Sequence, residues 1–432
     1  MKLPILALIS SVAFANGIPT FNKDIAPILY QNCASCHRPG EVAPFSLLTY
    51  QDAAKRAGQL AAVTKSRYMP PWKAESGEIR FRDERRLTDA QIRMIADWVK
   101  NGSPEGDPKE KPKPPQFAEG WQIGAPDQVI TVPAKFAVPA DGADAFRCFV
   151  VPIGNTEERY ANDVEFRPGN RRVVHHALIY LDTTGAARKM AASQGGDSYS
   201  CFGGPGFPPS GGLGGWAPGA SPTQLAAGLA YPIPKGADLV VQVHYHPDGK
   251  PEQDQSSIGL KFAPKPERAL TTMLVGTRNI DIPAGESHYE VKQSLTVPLD
   301  AEAISITPHA HLICKDMKVD AELPDGTVKH LIHIPDWDFN WQGSYRFQDP
   351  ILLPKGTRVS IDYIYDNSAN NPHNPSDPPK RVVHGEQTTN EMGLAFVQVA
   401  LPNEEARAEF RKGLRAQLIK QFLSGGGSSE PK

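Results

Sequence analysis

Apolar and polar residues alternate in short runs from residue 121 to about residue 399. In the run LVVQVHYH, which begins at residue 239, one face of the strand carries Leu239, Val241, Val243 and Tyr245. His244 and His246 share the opposite face. Gly and Pro separate the runs, and the chain has 37 and 41 of them. This spacing predicts a mainly β fold built from antiparallel β-sandwich, jelly-roll-like domains.

A faint internal repeat indicates two such domains. IPKGADLVVQVHYH at residues 233–246 aligns with LPKGTRVSIDYIYD at residues 353–366, an offset of 120 residues. Each segment opens with a Pro-Lys-Gly turn and continues as an alternating strand. We therefore expect two related β-sandwiches, at residues 119–267 and 268–402.

Helical periodicity is confined to the two ends of the chain. In LTDAQIRMIADWVKNG, Thr88 or Asp89 is suited to cap a helix and Gly102 to end it. Residues 403–432 predict a helix with Asn403 as N-cap and Gly425 as stop, followed by a disordered tail. We expect its apolar stripe to dock on the protein's own surface, with binding of a partner as the alternative. The stripe consists of Phe410, Leu414, Leu418 and Phe422.

The first residues, MKLPILALISSVAFANG, have the pattern of a secretory signal peptide. A short positive region precedes an apolar stretch, and small residues follow at Ala13 and Ala15. The signal is expected to span residues 1–15, with cleavage after Ala15; a buried first strand or an uncleaved anchor is the alternative. No later apolar run is long enough to cross a membrane. The mature protein is predicted to be periplasmic or secreted.

The net charge of −2 gives no argument for a nucleic-acid partner or an anionic membrane. Residues 103–118 contain Pro, Lys and acidic residues with almost nothing apolar. They are interpreted as a semi-rigid linker that tethers the N-terminal region to the β domains.

The motif CASCH at residues 33–37 is typical of covalent haem attachment. Cys33 and Cys36 would bond the haem, and His37 would bind its iron. Alternatives are a thioredoxin-like dithiol or half of a zinc site. Met69 is predicted as the second axial ligand, because Pro70 and Pro71 hold an extended loop. Its rival is Met94, which the helical pattern places in a core.

The stretch from about residue 16 to residue 102 thus resembles a small, all-α, class I c-type cytochrome domain. Three further cysteines are present, Cys148, Cys201 and Cys314, and we expect a disulfide between Cys148 and Cys201.

Three histidine pairs stand out in the β region. His244 and His246, and likewise His309 and His311, are two residues apart, so that both rings of a pair lie on one side of a strand. His175 and His176 are adjacent, and both can reach one metal only if the strand bends or ends there. Imidazole-rich sites of this kind suit copper or zinc.

Taken in order, these motifs resemble the type II copper, ascorbate-dependent monooxygenases, the group of peptidylglycine α-hydroxylating and dopamine β-monooxygenases. The motifs are VVHHALIYL, VVQVHYHP, ITPHAHLICKDM and TTNEMGLAF, with GGWAPGA between the first two. The resemblance covers roughly residues 121–401. It implies two copper ions, one held by each β-sandwich, that face each other across an open cleft.

The resemblance also implies the ligands. The electron-transfer copper would be held by His175, His176 and His244, and the oxygen-binding copper by the catalytic residues His309, His311 and Met392. A thioether ligand favours Cu(I). His246 has no assigned role, and it is interpreted as a residue that supports a ligand or as an alternate ligand.

The chain departs from the family where peptide-amidating members clamp a substrate carboxylate. Thr307, Leu394 and Phe396 stand at those positions. They predict a small or short organic substrate that is neutral or apolar. The expected function is C–H hydroxylation with O2, with electrons from an ascorbate-like reductant or another redox protein supplied through the covalently bound haem c. The alternative is a non-enzymatic haem–copper protein that transfers electrons or senses redox state.

Overall fold

The computed structural model describes residues 17–41, 43–117, 120–218, 220–385 and 387–425. The predicted signal peptide and the predicted disordered tail, residues 426–432, lie outside the described residues. The chain forms two compact units. Residues up to Pro71 and Arg85–Gln116 form the first, and Trp72–Glu84 together with Phe117 onward form the second.

The first unit is helical. Its elements are a π-helical turn (Phe21–Ile25), α1 (Ala26–Asn32), α2 (Tyr50–Ala54), α3 (Ala57–Lys65), α4 (Asp89–Lys100) and a 3-10 turn (Pro108–Glu110). The Thr88 side chain accepts from the Gln91 amide and the Gln91 side chain accepts from the Thr88 amide, a reciprocal cap that fixes the start of α4. Phe21, Leu29 and Trp98 are fully buried between these helices.

The first half of the predicted linker is not a free spacer. The Pro104 carbonyl accepts from the Trp98 indole at 3.0 Å and from the Phe21 amide at 2.9 Å. The Tyr50 hydroxyl donates to the Ser103 carbonyl at 3.0 Å. Polar composition suggested a solvated segment, but its backbone carbonyls complete the helical unit.

The second unit is mainly β, as predicted, and its strand ladders are antiparallel. Its first half contains β1 (Gln128–Thr131), β2 (Phe136–Val138), β3 (Ala145–Pro152), β4 (Arg159–Arg167), β5 (Val174–Asp182), α5 (Ala186–Ser193), β6 (Ser198–Ser200), β7 (Gly211–Trp216), β8 (Thr223–Gln224), β9 (Tyr231–Ile233), β10 (Asp238–Tyr245), β11 (Glu252–Asp254) and β12 (Ser257–Ala263).

Two five-stranded sheets enclose the core of this half. One has the order β1-β12-β4-β8, with β9 also paired to β4, and the other has the order β6-β3-β10-β5-β7. Leu239, Val241, Val243 and Tyr245 all face this core, so the predicted face of β10 is confirmed. Helix α5 was not expected; it packs beside the Cys148–Cys201 disulfide, which the structure forms with an S–S distance of 2.07 Å.

The other half contains β13 (Ala269–Thr277), β14 (Asp281–Ile282), β15 (Tyr289–Thr296), β16 (Ala301–His309), β17 (Cys314–Glu322), β18 (Val328–Ile334), β19 (Tyr345–Leu353), β20 (Arg358–Tyr365), β21 (Val382–Val383), β22 (Gly393–Leu401) and α6 (Glu404–Gly425). The sheets β13-β22-β16-β19 and β15-β20-β17-β18 enclose a second core. The predicted boundary at residues 267/268 falls between β12 and β13.

Helix α6 confirms part of the expected docking. Asn403 caps it by accepting from the Ala406 amide at 2.9 Å. Phe410 and Leu414 join the second core, whereas Leu418 is 45 % exposed and contradicts the predicted four-residue stripe. The helix packs on β13, β15 and β22, and the Gln417 side chain still bonds the Thr296 backbone at the end of β15. The Phe422 side chain lies outside the described residues.

Residues 72–84 were expected in the N-terminal domain but pack on the second unit. The Trp72 ring meets the Tyr345 ring edge-on at 5.1 Å, and the Phe81 ring stacks on the Phe347 ring at 5.7 Å. The Glu75 amide donates to the His333 carbonyl at 2.8 Å. Aromatic burial against β19 therefore outweighs the continuity of this segment with the helices.

Candidate metal centres

A bulge in β5 brings both neighbouring histidines to one side. Along β10, His244 faces His176, but the next residue, Tyr245, faces Val174. His175 is therefore an extra residue in the ladder, and such a bulge re-aims a side chain. The strand bends at His175 and His176, as the sequence required if both rings were to reach one metal.

Three imidazole nitrogens converge there. The Nδ1 atom of His176 lies 3.1 Å from Nδ1 of His175 and 3.3 Å from Nδ1 of His244. Two nitrogens that are each about 2.0 Å from one metal in tetrahedral geometry lie roughly 3.3 Å apart. Among the described residues, these three form the group of His, Cys and acidic side chains whose spacing suits a metal ion. We call them the first imidazole cluster.

His175 and His176 are kept neutral by their surroundings. Burial, reinforced by the neighbouring His244 ring, lowers the pKa of His175 to about 4. Burial and the rings of His244, His175 and His309 lower the pKa of His176 well below its ordinary value. Neutral imidazole is the form that binds a metal.

Asp144 fixes which nitrogen of His244 faces the cluster. Its Oδ2 atom accepts from Nε2 of His244 at 2.7 Å, and its Oδ1 atom lies 2.7 Å from Nδ1 of His246. Burial acts to raise the pKa of Asp144, but its bonds to both histidines outweigh burial and hold that pKa at about 2. The proton therefore stays on Nε2 of His244, and Nδ1 is left free for a metal. His246 supports Asp144 and is not part of the cluster.

The second pair of histidines lies at the end of β16. The rings of His309 and His311, 5.2 Å apart at an angle of 84°, form the second imidazole cluster. Nδ1 of His309 donates to the Gln342 side chain at 2.6 Å, and Nδ1 of His311 donates to the Asn390 carbonyl at 3.1 Å. Both rings therefore keep Nε2 free. Burial lowers both pKa values, that of His311 to about 4.

Glu391 ties the backbone of Met392 to that of His311. One carboxylate oxygen of Glu391 accepts from the amide of His311 at 2.8 Å and from the amide of Met392 at 3.2 Å. The other accepts from the amide of Ile313 at 2.8 Å. Glu391 is fully buried, and burial raises its pKa to about 8. The backbones of the imidazole and thioether residues are thus fastened to one side chain.

Cys314 does not supply a thiolate here. Burial raises the pKa of its thiol well above the ordinary value, and the nearby carboxylates of Glu391 and Asp316 act in the same direction. A buried, protonated thiol is a poor metal ligand.

The outer face of the sheet next to His309 is apolar. Leu394 lies opposite His309 in the ladder, and Phe396 lies opposite Thr307 and Leu274. Leu274 and Phe396 are 40 % and 37 % exposed, which is unusual for large apolar side chains in the middle of strands. A Cβ on Gly276 would lie 2.4 Å from the Leu394 side chain, so this glycine lets Leu394 lie flat beside the cluster.

The CASCH motif follows α1 in the first unit. Nδ1 of His37 lies 3.2 Å from the Phe45 carbonyl, so Nε2 is free to bind an iron. Burial, with the charge of Cys36, raises the pKa of Cys33 to about 12. The reactive thiol of a thioredoxin-like dithiol has a lowered pKa, so the environment of Cys33 differs from that of such a site. Met94 packs against the helical core, as expected; Met69 follows α3 and is half-buried.

Sequence reasoning missed Asp144, Gln342, Phe339 and the role of Glu391. Glu391 was visible beside Met392, but it follows the polar run EQTTN, and nothing in that context marked it as buried. Asp144 and Gln342 lie 100 and 33 residues from the imidazoles they bind, and no local pattern marks them.

Comparisons with known proteins do not assign a family. Neither the family models nor the curated proteins contain a match. Similar solved structures include the infectious bursal disease virus Gx strain, at 9 % identity and a TM-score of 0.17, covering 65 % of this chain and 82 % of that one. A Paenibacillus xanthan lyase is 10 % identical with a TM-score of 0.16, covering 68 % of this chain and 28 % of that one. No described helix combines the length and apolar character that membrane crossing requires.

Proposed function

We propose that this chain is an exported dicopper monooxygenase that hydroxylates a C–H bond of a neutral or apolar organic molecule. The proposal combines two jelly-roll-like sandwiches with an N-terminal c-type haem domain that passes on electrons from an external reductant. The observation that carries it is the pair of imidazole clusters in one unit. One exposes three convergent Nδ1 atoms and the other frees two Nε2 atoms.

The donor set supports copper over zinc. Three imidazoles alone would suit either metal, but a thioether from Met392 selects the softer Cu(I). When bound, copper would supply the one-electron chemistry and oxygen activation that hydroxylation requires. The overall reaction consumes the substrate, O2, two electrons and two protons, and it yields the alcohol and water.

The protein's own residues would orient the metals and the substrate. Asp144 and Gln342 fix the nitrogens that face each metal. The apolar face formed by Leu274, Leu394 and Phe396 offers no charged or hydrogen-bonding clamp. It therefore supports a substrate that binds by apolar contact.

Metal analysis of the intact, haem-loaded protein tests the cofactor assignment. We expect two copper ions and one iron per chain. The triple variant that combines Met392→Asp, His309→Ala and His311→Ala should lose one of the two copper ions. A protein that takes up iron but no copper would overturn the proposal.

Oxygen uptake with reductant and a panel of neutral apolar compounds tests the reaction. Label from 18O2 in an alcohol product supports it, whereas metal reoxidation without any oxygenated product indicates the non-enzymatic alternative.

A pair of arginine substitutions tests the substrate surface. Phe396→Arg is expected to abolish oxygenation of an apolar substrate while keeping the copper content. Leu352→Arg is the matched control, because Leu352 is 54 % exposed on β19 and lies opposite Glu302, far along the ladder from His309. Equal loss in both variants would contradict an apolar binding surface at Phe396.

A further inference from the structure

One aromatic ring touches both imidazole clusters. The Phe339 ring stacks on His175 at 5.7 Å with an angle of 20° between planes. It also meets the His311 ring edge-on at 5.9 Å and 84°. Phe339 belongs to the segment between β18 and β19, and we call residues 336–342 the bridging loop.

The same loop holds the second cluster by two further contacts. Gln342 accepts from His309, and the Trp337 indole donates to the His311 carbonyl at 3.0 Å. Trp337 is buried and also donates its amide to the Lys315 carbonyl at 2.9 Å. A displacement of the bridging loop would therefore move or release rings of both clusters together.

Residues 72–84 fasten the outer side of this loop. Nζ of Lys73 lies 3.2 Å from Asp336 and 3.9 Å from Asp338, and the Lys73 side chain is only 11 % exposed. Asp336 is 74 % exposed, whereas Asp338 is 13 % exposed, so the pair with Asp338 is the one that solvent screens less than a surface pair. The loop thus has an anchor that is independent of the imidazoles.

We propose that the bridging loop couples metal binding at the two clusters through Phe339. A metal at the first cluster fixes the His175 ring, and this ring fixes Phe339 against His311. When a metal then binds the second cluster, Phe339 is already ordered. The second metal therefore does not bear the entropy cost of ordering this ring and binds more tightly. Linkage requires the effect to be reciprocal. This inference rests on the proposed two-copper function.

Cu(I) titration against a chromophoric competing chelator measures the coupling without any turnover. The variant His176→Ala, which lacks the first site, gives the Kd of the second cluster alone. The double variant His309→Ala, His311→Ala, which lacks the second site, gives the Kd of the first cluster alone. The product of these values divided by the product of the two stepwise constants of the unsubstituted protein is the coupling factor. We expect a factor of about 5 or more, in the range usual for coupled sites.

Phe339→Leu should bring that factor to about 1, since the side chain stays apolar but loses both ring contacts. Phe339→Ala provides a second variant, and circular dichroism establishes that each is folded. Phe262→Leu is the matched control, because its ring packs on Arg159 away from both clusters. It should keep the coupling. Lys73→Met should lower the factor without abolishing it.

A purely structural role for Phe339 would weaken both sites and leave the coupling factor unchanged. That outcome, or a factor of about 1 in the unsubstituted protein, would overturn the inference while leaving the two-copper proposal intact. Absence of Cu(I) binding at either cluster would instead overturn the proposed function.

Discussion

The two imidazole clusters are built from the same residue type but present opposite nitrogens. In the first, the fixed ring is His244, whose Nε2 atom donates to the ionised carboxylate of Asp144. In the second, His309 and His311 donate from Nδ1 to a neutral amide and a neutral carbonyl. The partner of the remote nitrogen thus decides both the ring orientation and the charge beside the metal.

Where copper occupies both clusters, as proposed, this difference would separate the redox preferences of the two centres. A carboxylate one ring away from the metal makes His244 a stronger donor and favours the more highly charged Cu(II). Neutral partners and a thioether favour Cu(I), the state that reacts with O2. The contrast suits one centre that gives up an electron and another that meets oxygen.

The largest expected effect is loss of one metal in His176→Ala. Its Nδ1 atom is the shared neighbour of the other two nitrogens, so its removal leaves His175 and His244 without a common third donor. Copper content should fall from two ions to one. His246→Ala is the matched control and should keep both ions. Retention of two ions in His176→Ala would show that the first cluster is not a copper site.

Glu391→Gln should come next, and it should act only on the second cluster. Gln offers only one accepting oxygen, so it can keep the amides of His311 and Met392 only by turning its NH2 group toward the Ile313 amide, which weakens the attachment of this segment. We expect Cu(I) affinity there to fall about 10- to 100-fold. Titration of the variant in the His176→Ala background measures it. An equal loss at the first cluster, measured for Glu391→Gln in the His309→Ala, His311→Ala background, would indicate general unfolding.

Much of this comparison could be predicted from the sequence, and the reasons differ by residue. A spacing of two along a strand predicted that His309 and His311 share a face, whereas the grouping of His175, His176 and His244 was implied by the family resemblance and agrees with their convergence. The sequence showed that the strand must bend or end near His175 and His176 if both rings are to reach one metal. It could not show that the bend is a bulge, because a bulge depends on pairing with β10, whose His244 lies 68 residues from His176. Asp144, Gln342 and Phe339 depend on the folded arrangement of loops. Residues 72–84 were misplaced because no local pattern shows on which unit an aromatic segment packs.

Asp144→Asn sharpens the comparison by making the first cluster resemble the second. The variant keeps the size of the side chain but removes the charge next to His244. Cu(II) affinity at the first cluster should fall about tenfold, and the Cu(II)/Cu(I) potential should rise by about 60 mV for each tenfold change. Redox titration followed by electron paramagnetic resonance measures the shift. An unchanged potential would mean that the carboxylate only positions the ring.

Acidification tests how well burial protects the second cluster. Burial lowers the pKa values of both imidazoles, that of His311 to about 4, so His311 carries no proton between pH 8 and about pH 5. Cu(I) affinity in His176→Ala should be flat over that range and should fall near pH 4. The metal-free protein should lose stability as pH falls from about 6.5, because the unfolded imidazoles bind protons that the folded ones do not. Affinity that falls from pH 6.5 would contradict the burial argument.

The smallest expected effect is that of His246→Ala, which tests how far influence extends behind the first cluster. The His246 side chain is 69 % exposed, and it reaches the cluster only through Oδ1 of Asp144. Its loss leaves the bond from Asp144 to His244 in place, so the first-cluster Kd should rise by no more than about threefold, below the range for a direct partner of a ligand. Asp144→Asn in the same assay provides the scale. A loss of copper affinity as large as that in Asp144→Asn would mean that Asp144 holds the His244 ring only while it also binds His246. In that case, a carboxylate bound to His244 alone would rotate away from the ring.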